Sequence, residues 1–372
     1  MRSFALFSYS VSLGLHLVCW WLSVFQLRPG RRARAFSLLL VFALAAWPLA
    51  TFKVSSMLPD FLAGAFSVSA FTWFGAVFYF FLFQVGLGGL GLGFKALPAR
   101  VSAFFPRGRR QFFWAAALTV LTVAYGLYEA SDIRPVHYRF TAPGLKQNLR
   151  LLMLADTHIG QGSSLGKTRK LVDLVNSLDP DMVFFVGDIV DAGPDRIERH
   201  ADALSGIHAP CLGVFGNHEG YVGKQKSRDF FKRAGIRPLV DERLDFPDRG
   251  LVLVGIDDPG RSGDTVRDLG VRLERIPLSG MDQAYSVLLV HRPEGWRESA
   301  LPHGFDLQLS GHTHGGQMFP FSLLVQRRHK FLHGLFQEGG GRLIVTRGAG
   351  TWGPPMRVLS PPEVVVIELD AG

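Results

Sequence analysis

Asp156-x-His158, Gly187-Asp188-x-x-Asp191, Gly216-Asn217-His218-Glu219, His291 and Gly311-His312-Thr313-His314 are the groups in this chain whose types and spacing could do chemistry together. Carboxylate, imidazole and amide oxygen suit hard or borderline divalent ions: Mn²⁺, Fe²⁺, Co²⁺ or Zn²⁺. No cysteine stands among them, so a structural zinc is not expected. Divalent ions held this way acidify water and polarise an electrophile. Alone, Asp156 or Asp188 would read as a helix N-cap, and a lone His291 at a strand end as a polar cap. Their company in one series, with His291 just ahead of His312-x-His314, makes them ligand candidates.

Each group follows a short apolar run that reads as a strand: Leu151–Leu154, Met182–Val186, Leu212–Phe215, Ser286–Val290 and Leu307–Leu309. Leu251–Ile256, Arg342–Val345 and Val364–Leu369 read as further strands. Gly166–Leu178 reads as an amphipathic helix, with Leu171, Leu174, Val175 and Leu178 on one face. Strands alternating with helices predict an α/β sheet architecture. Ligands of open α/β sheets gather beyond the carboxyl ends of strands, so the five groups are placed to form one site. Gly187, Gly216 and Gly311 let the backbone turn sharply off a strand beside that site.

Two phosphate-binding look-alikes are decoys. Gly86-Leu87-Gly88-Gly89-Leu90-Gly91 fits G-x-G-x-x-G but ends a long apolar run with no βαβ unit around it. Its small residues suit helix packing instead. Gly162-Ser163-Ser164-Leu165-Gly166-Lys167-Thr168 misses the P-loop spacing by one residue and reads as a loop leading into a helix.

The first third of the chain is of another kind. Apolar stretches from about Phe4 to Leu27, Phe36 to Leu58, Phe61 to Phe94 and Phe112 to Tyr128 are each long enough to cross a bilayer. The net charge of +9 lies wholly in residues 1–130; the remainder is neutral. A basic groove for polyphosphate is therefore not expected, and nucleic acid is excluded as a partner. Arg28, Arg31, Arg32 and Arg34 fill the first loop, and Lys95, Arg100, Arg107, Arg109 and Arg110 the third; Arg2 and Lys53 face the other way. The positive-inside rule then puts both termini, and everything after the fourth span, outside the cytoplasm. In a bacterium that is the periplasmic side of the inner membrane. Cys19 and Cys211 form no framework. His16, His137, His200, His208, His303, His329 and His333 read as surface, packing or interfacial residues.

Taken together, the five groups resemble the blocks of the calcineurin-like metallophosphoesterase superfamily, in its order, over about residues 148–370. Gly315-Gly316-Gln317, Arg347-Gly348-Ala349-Gly350-Thr351, Pro355-x-Arg357 and Pro362-Glu363 are similar to its membrane-anchored or exported branch, the bacterial and animal transmembrane phosphodiesterases. The resemblance implies a four-layer αββα sandwich at residues 149–372, after a membrane region at 1–130 and a linker with an entering strand at 131–148. It implies two divalent ions, Mn²⁺ favoured. One is held by Asp156, His158, Asp188 and His314, the other by Asp188, Asn217, His291 and His312, with Asp188 bridging. It further implies that His218 faces substrate, steadying a phosphoryl oxygen or protonating the leaving group, and that Asp191 orients a ligand. Many members carry Asp where this chain has Glu219, which puts the contact made by that residue in question.

The implied reaction is hydrolysis of a phosphodiester or pyrophosphate. The alternatives are a phosphomonoesterase or nucleotidase acting on soluble substrates, and a membrane receptor with a vestigial site. Met318–Val325, followed by Arg327, Arg328 and Lys330, reads either as sandwich core or as a strip resting among lipid headgroups. The second reading points to an amphiphilic or lipid-linked substrate.

Overall fold

A computed structural model describes residues 2–93, 106–160, 163–191, 197–260 and 264–372. The chain divides into two compact units: Met1–Tyr128 with Gly353–Met356, and Glu129–Trp352 with Arg357–Gly372. Phe94, Lys95, Arg100 and Gly162, used above, lie outside the described residues.

The first unit is built from helices α1 (Arg2–Leu27), α2 (Arg31–Val54), α3 (Asp60–Gly93) and α4 (Arg109–Glu129). Leu6–Leu27, Arg31–Thr51, Phe61–Gly91 and Arg109–Glu129 are each long and apolar enough to cross a membrane, and the chain is a membrane protein. The glycines of the G-x-G-x-x-G decoy lie inside α3. Polar side chains in these spans bond between helices, as an apolar solvent requires. Gln26 and Gln84 exchange bonds of 2.8 and 3.0 Å, and Gln111 donates to the Gln84 carbonyl at 2.9 Å. Trp73 donates to His16 Nε2 at 2.9 Å, so His16 Nδ1 carries the proton that meets the Ser12 carbonyl at 2.8 Å.

The second unit has two six-stranded sheets. The first runs β1 (Arg134–Ala142), β12 (Glu363–Ala371), β2 (Leu149–Leu154), β3 (Met182–Val186), β4 (Cys211–Val214), β5 (Ile236–Pro238). The second runs β10 (Gly334–Glu338), β11 (Gly341–Val345), β9 (Leu307–Ser310), β8 (Tyr285–Val290), β7 (Leu251–Ile256), β6 (Glu242–Phe246). Strands β2 to β5 are parallel to one another, as are β7, β8 and β9. Leu151, Met153 and Phe184 of one sheet meet Leu253, Val287 and Leu309 of the other in a shared core. The outer face of the first sheet is covered by α5 (Leu165–Ser177), α6 (Glu198–Leu204) and α8 (Lys224–Arg233), through Leu171, Val175, Leu204 and Phe231. Helix α9 (Thr265–Leu273) and the turn around Trp296 cover the second. The order is helix, sheet, sheet, helix: the four-layer αββα sandwich.

Central strands are covered on both faces, which is why they read as unbroken apolar runs. β6 (ERLDF) and β10 (GLFQE) escape that reading. Each is an antiparallel edge strand held by backbone pairing, with mixed polarity and no continuous apolar side.

Candidate metal centre

The donor groups leave the carboxyl ends of β2, β3 and β4 in one sheet and of β8 and β9 in the other. Past β2 and β3 the two chains keep pairing: Asp156 N–H donates to the Gly187 carbonyl at 3.0 Å and His158 N–H to the Asp188 carbonyl at 3.0 Å. Asp156, His158, Asp188, His312 and His314 all have positive φ, between 45° and 74°. A non-glycine residue in that region costs about 1 kcal/mol or more, a strain that clusters at working sites. Gly187 is also left-handed (φ 80°), and a Cβ there would lie 2.5 Å from His291 Nδ1. A Cβ on Gly216 would strike the Asp188 carboxylate. Any larger residue at either place would push a donor out of the cluster.

The side chains converge on three groups linked through His158 and Asp188. Asp156, His158 and His314 each offer an atom within 4.8 Å of the others, as do His158, Asp188 and His218, and Asp188, His291 and His312. His314 Nε2 lies 3.0 Å from His158 Nε2 and 3.6 Å from Asp156 Oδ1. Asp188 Oδ2 joins the groups, at 3.1 Å from His291 Nε2 and 3.9 Å from His158 Nε2. The His291 contact is close yet lacks the alignment of a hydrogen bond. Asp188 Oδ1 instead accepts the His218 N–H at 2.8 Å. Asp156 accepts the His312 N–H at 3.1 Å on both oxygens. His291 is held from behind by its Nδ1, 2.9 Å from the Val186 carbonyl, which turns Nε2 inward.

Asp191 and Glu219 brace this arrangement. Asp191 Oδ1 bonds His218 Nδ1 at 2.7 Å, and Oδ2 is 3.6 Å from His158 Nδ1. Burial alone would raise the Asp191 pKa, but these two imidazoles hold it well below the usual carboxylate range. The Glu219 carboxylate accepts four backbone N–H groups: Asp188 (2.9 Å) and Gly216 (2.6 Å) on Oε2, Ile189 (2.7 Å) and Val190 (3.0 Å) on Oε1. One buried side chain thus ties the loop after β3 to the loop after β4.

Electrostatics follow from crowding. Burial pushes the Asp156 carboxyl up to about 6, against the pull of His291. Burial opposes charge on His291, yet Asp188 raises it to about 10. Burial and the His291 cation lower His312 to about 3, and burial beside His158 takes His314 well below its ordinary value. Imidazoles kept neutral present a lone pair, the form that binds metal. Asn217 Oδ1, His291 Nε2, His158 Nδ1 and His314 Nδ1 are buried without a hydrogen-bond partner among the described residues. Buried polar atoms are rarely left so. A cation beside Asp188 would engage His291 Nε2, so the donor set fits divalent metal.

Two residues acquire a part the sequence did not reveal. Arg357 is fully buried, and its guanidinium donates to the carbonyls of Gly350 (2.8 and 2.6 Å), Arg347 (2.7 Å), Ser360 (3.0 Å), Gly348 (3.2 Å) and His314 (3.3 Å). It clamps the Arg347–Gly350 loop, whose Ala349 and Gly350 N–H groups pair with the Ala155 and Asp156 carbonyls, to the loop bearing His314. Pro355-x-Arg357 had pointed to this position without giving it work. His329, read as a surface or packing residue, lies with its ring 5.6 Å from that of His312 and bonds Glu294. No local motif marks it.

An αββα sandwich with imidazoles and carboxylates gathered at the carboxyl ends of its strands is the architecture of a metallophosphoesterase. Residues 149–316 match the family described as Calcineurin-like phosphoesterase. An uncharacterized metallophosphoesterase of Aquifex aeolicus is 33% identical over 262 residues, 68% of this chain and 97% of that one. One of Campylobacter jejuni is 37% identical over 239 residues, 61% of this chain and 60% of its own length. A zebrafish transmembrane protein with metallophosphoesterase domain is 31% identical over 322 residues, 79% of this chain and 70% of that protein. A solved zebrafish dimetal phosphatase is similar at 15% identity and TM-score 0.34, covering 54% of this chain and 88% of that one. The chain belongs to the calcineurin-like metallophosphoesterase family.

Proposed function

We propose that the chain is a two-metal phosphoesterase, its catalytic domain at residues 149–372, which hydrolyses a phosphodiester or pyrophosphate of an amphiphilic or lipid-linked substrate. Asp156, His158, Asp188 and His314 would hold one ion, and Asp188, Asn217, His291 and His312 the other. The observation that carries this reading is Asp188 Oδ2, which faces donors of both groups at 3.1 and 3.9 Å. Bound there, two ions supply an acidified water and a clamp on the attacking and leaving oxygens; Mn²⁺ is the favoured metal.

The chain's own residues do the rest. With His218 Nδ1 committed to Asp191, its Nε2 faces the cluster, 4.0 Å from Asp188 Oδ2. Burial opposes the charged ring, but Asp191 and Asp188 raise the His218 pKa, which suits it to hand a proton to a leaving oxygen. Trp352, whose ring is 5.8 Å from that of His218, and Tyr221, at 5.0 Å, flank this imidazole with apolar surface. Gln317 holds Trp352 by two bonds to its backbone, of 3.0 and 2.9 Å.

We also place this domain on the periplasmic side of a bacterial inner membrane, from the basic loops. A periplasm-active phosphatase fused after Gly372 should be active; activity of a cytoplasm-only reporter there would reverse the orientation.

The central test is metal analysis with turnover of bis-(p-nitrophenyl) phosphate by the full chain. About two transition ions per chain, removable by chelator together with activity, is the expected result. Full turnover by Asp188→Asn would sink the mechanism.

A further inference from the structure

The loop that carries His314 runs straight into an exposed apolar surface. Phe319 is 43% exposed, Phe321 48%, Leu323 52% and Leu324 57%. Helix α10 (Ser322–Arg328) has no buried residue at all. The sandwich-core reading of Met318–Val325 is therefore wrong for all but Met318, which is buried. Arg327, Arg328 and Lys330 follow, all exposed; among the described residues only Lys330 has an acidic neighbour, Glu298 at 3.6 Å.

This surface is fastened to the site. Gly316 is left-handed (φ 76°), and a Cβ on it would lie 2.5 Å from that of Ser322, so the start of α10 rests directly on the His314–Gly316 turn. The chain is also short where it leaves the bilayer. The fourth span closes at Glu129 and β1 opens at Arg134, a reach of at most ~18 Å for five residue steps.

We infer that Phe319–Lys330 is an interfacial docking element, which lies in the headgroup zone of the membrane the four helices cross and delivers a membrane phospholipid-type phosphodiester to the metal centre. The occupant is a bilayer surface, for three reasons: the protein is a membrane protein, its tether is short, and the strip has the composition of such elements. Aromatic and Leu side chains stand beside Arg on one short stretch, the pattern that sinks into the acyl boundary while cations meet lipid phosphates. Each Arg near an anionic surface adds about fivefold to partitioning. The delivery step rests on the phosphoesterase reading above; the docking step does not.

The experiment separates the two. The full chain is reconstituted into vesicles of phosphatidylcholine with phosphatidylglycerol, and an environment-sensitive fluorophore is attached at Leu324→Cys. Cys211 is buried with its thiol pushed up to about 12, and Cys19 is buried, so the new thiol is the reactive one. Lipids brominated high on the acyl chain should quench this probe and leave one at the exposed Arg275→Cys unquenched. An unquenched probe at 324 overturns docking, whatever the activity. In parallel, turnover of a vesicle-embedded phosphodiester is divided by turnover of bis-(p-nitrophenyl) phosphate. Leu323→Ser with Leu324→Ser should lower that ratio ~10-fold or more; an unchanged ratio overturns delivery. Quenching with no hydrolysis of either diester would leave docking standing and remove the phosphoesterase reading instead.

Discussion

Glu219→Gln tests how the site is built. The carboxylate accepts two N–H groups on each oxygen, from Asp188 and Gly216 on one and from Ile189 and Val190 on the other. Glutamine keeps one oxygen and turns an NH₂ toward the other pair, so two donors lose their acceptor and face a third. A hydrogen bond to a charged group contributes about 1.5–3 kcal/mol. Two of them, less the relief of no longer burying a carboxylate beside Asp188, leave a loss of about 3 kcal/mol. For a unit of this size each kcal/mol moves the midpoint about 2–4 °C, so the unfolding midpoint should fall by about 6–12 °C. The assay is thermal unfolding of the purified full chain in detergent, followed by tryptophan fluorescence, with metal content measured on the same samples. Metal content should fall too, because Asp188 and Asn217 ride on the two loops that Glu219 joins. The exposed Glu274→Gln serves as control and should move the midpoint by under ~2 °C. A Glu219→Gln midpoint as close to the original as the control's, with metal retained, would refute this account of the brace.

Other outcomes are equally direct. His218→Ala should keep its metal and lose turnover by ~10²–10⁴-fold, the contribution of a general acid; metal loss would mean that His218 is a ligand. In metal-free protein the His218 imidazole should titrate above 6.5 by NMR, since its folded value is raised by Asp191 and Asp188 against burial. Its stabilising charge is present below the unfolded value and lost as pH rises through the folded one; Asp191→Asn should bring that titration down, and no change would deny the contact. Arg357→Met should destabilise the fold by about 3–5 kcal/mol, leaving five carbonyls without their shared donor, as when one partner of a buried polar network is removed; a normal melting curve would contradict it.

Much of the site is legible along the chain because its donors come in short runs at strand ends. Spacing such as Asp156-x-His158 or His312-x-His314 is local, and apolar runs mark where each strand stops. Glu219 was visible only as a departure from the usual Asp. Its longer side chain reaches four N–H groups on two loops, and that reach depends on how β3 lies beside β4. The edge strands β6 and β10 were missed because backbone pairing to β7 and β11, not side-chain burial, makes them strands.

By itself the sequence determined which residues are candidate donors, the order in which they are strung, and the four apolar spans, since residue type, spacing and hydropathy are properties of consecutive positions. Tertiary structure alone decided that Arg357 is buried, that His329 lies against His312, and that Phe319, Phe321, Leu323 and Leu324 face outward. Burial and contact depend on which distant segments fill the space around a residue, and an apolar run looks the same whether a core or a solvent surface receives it.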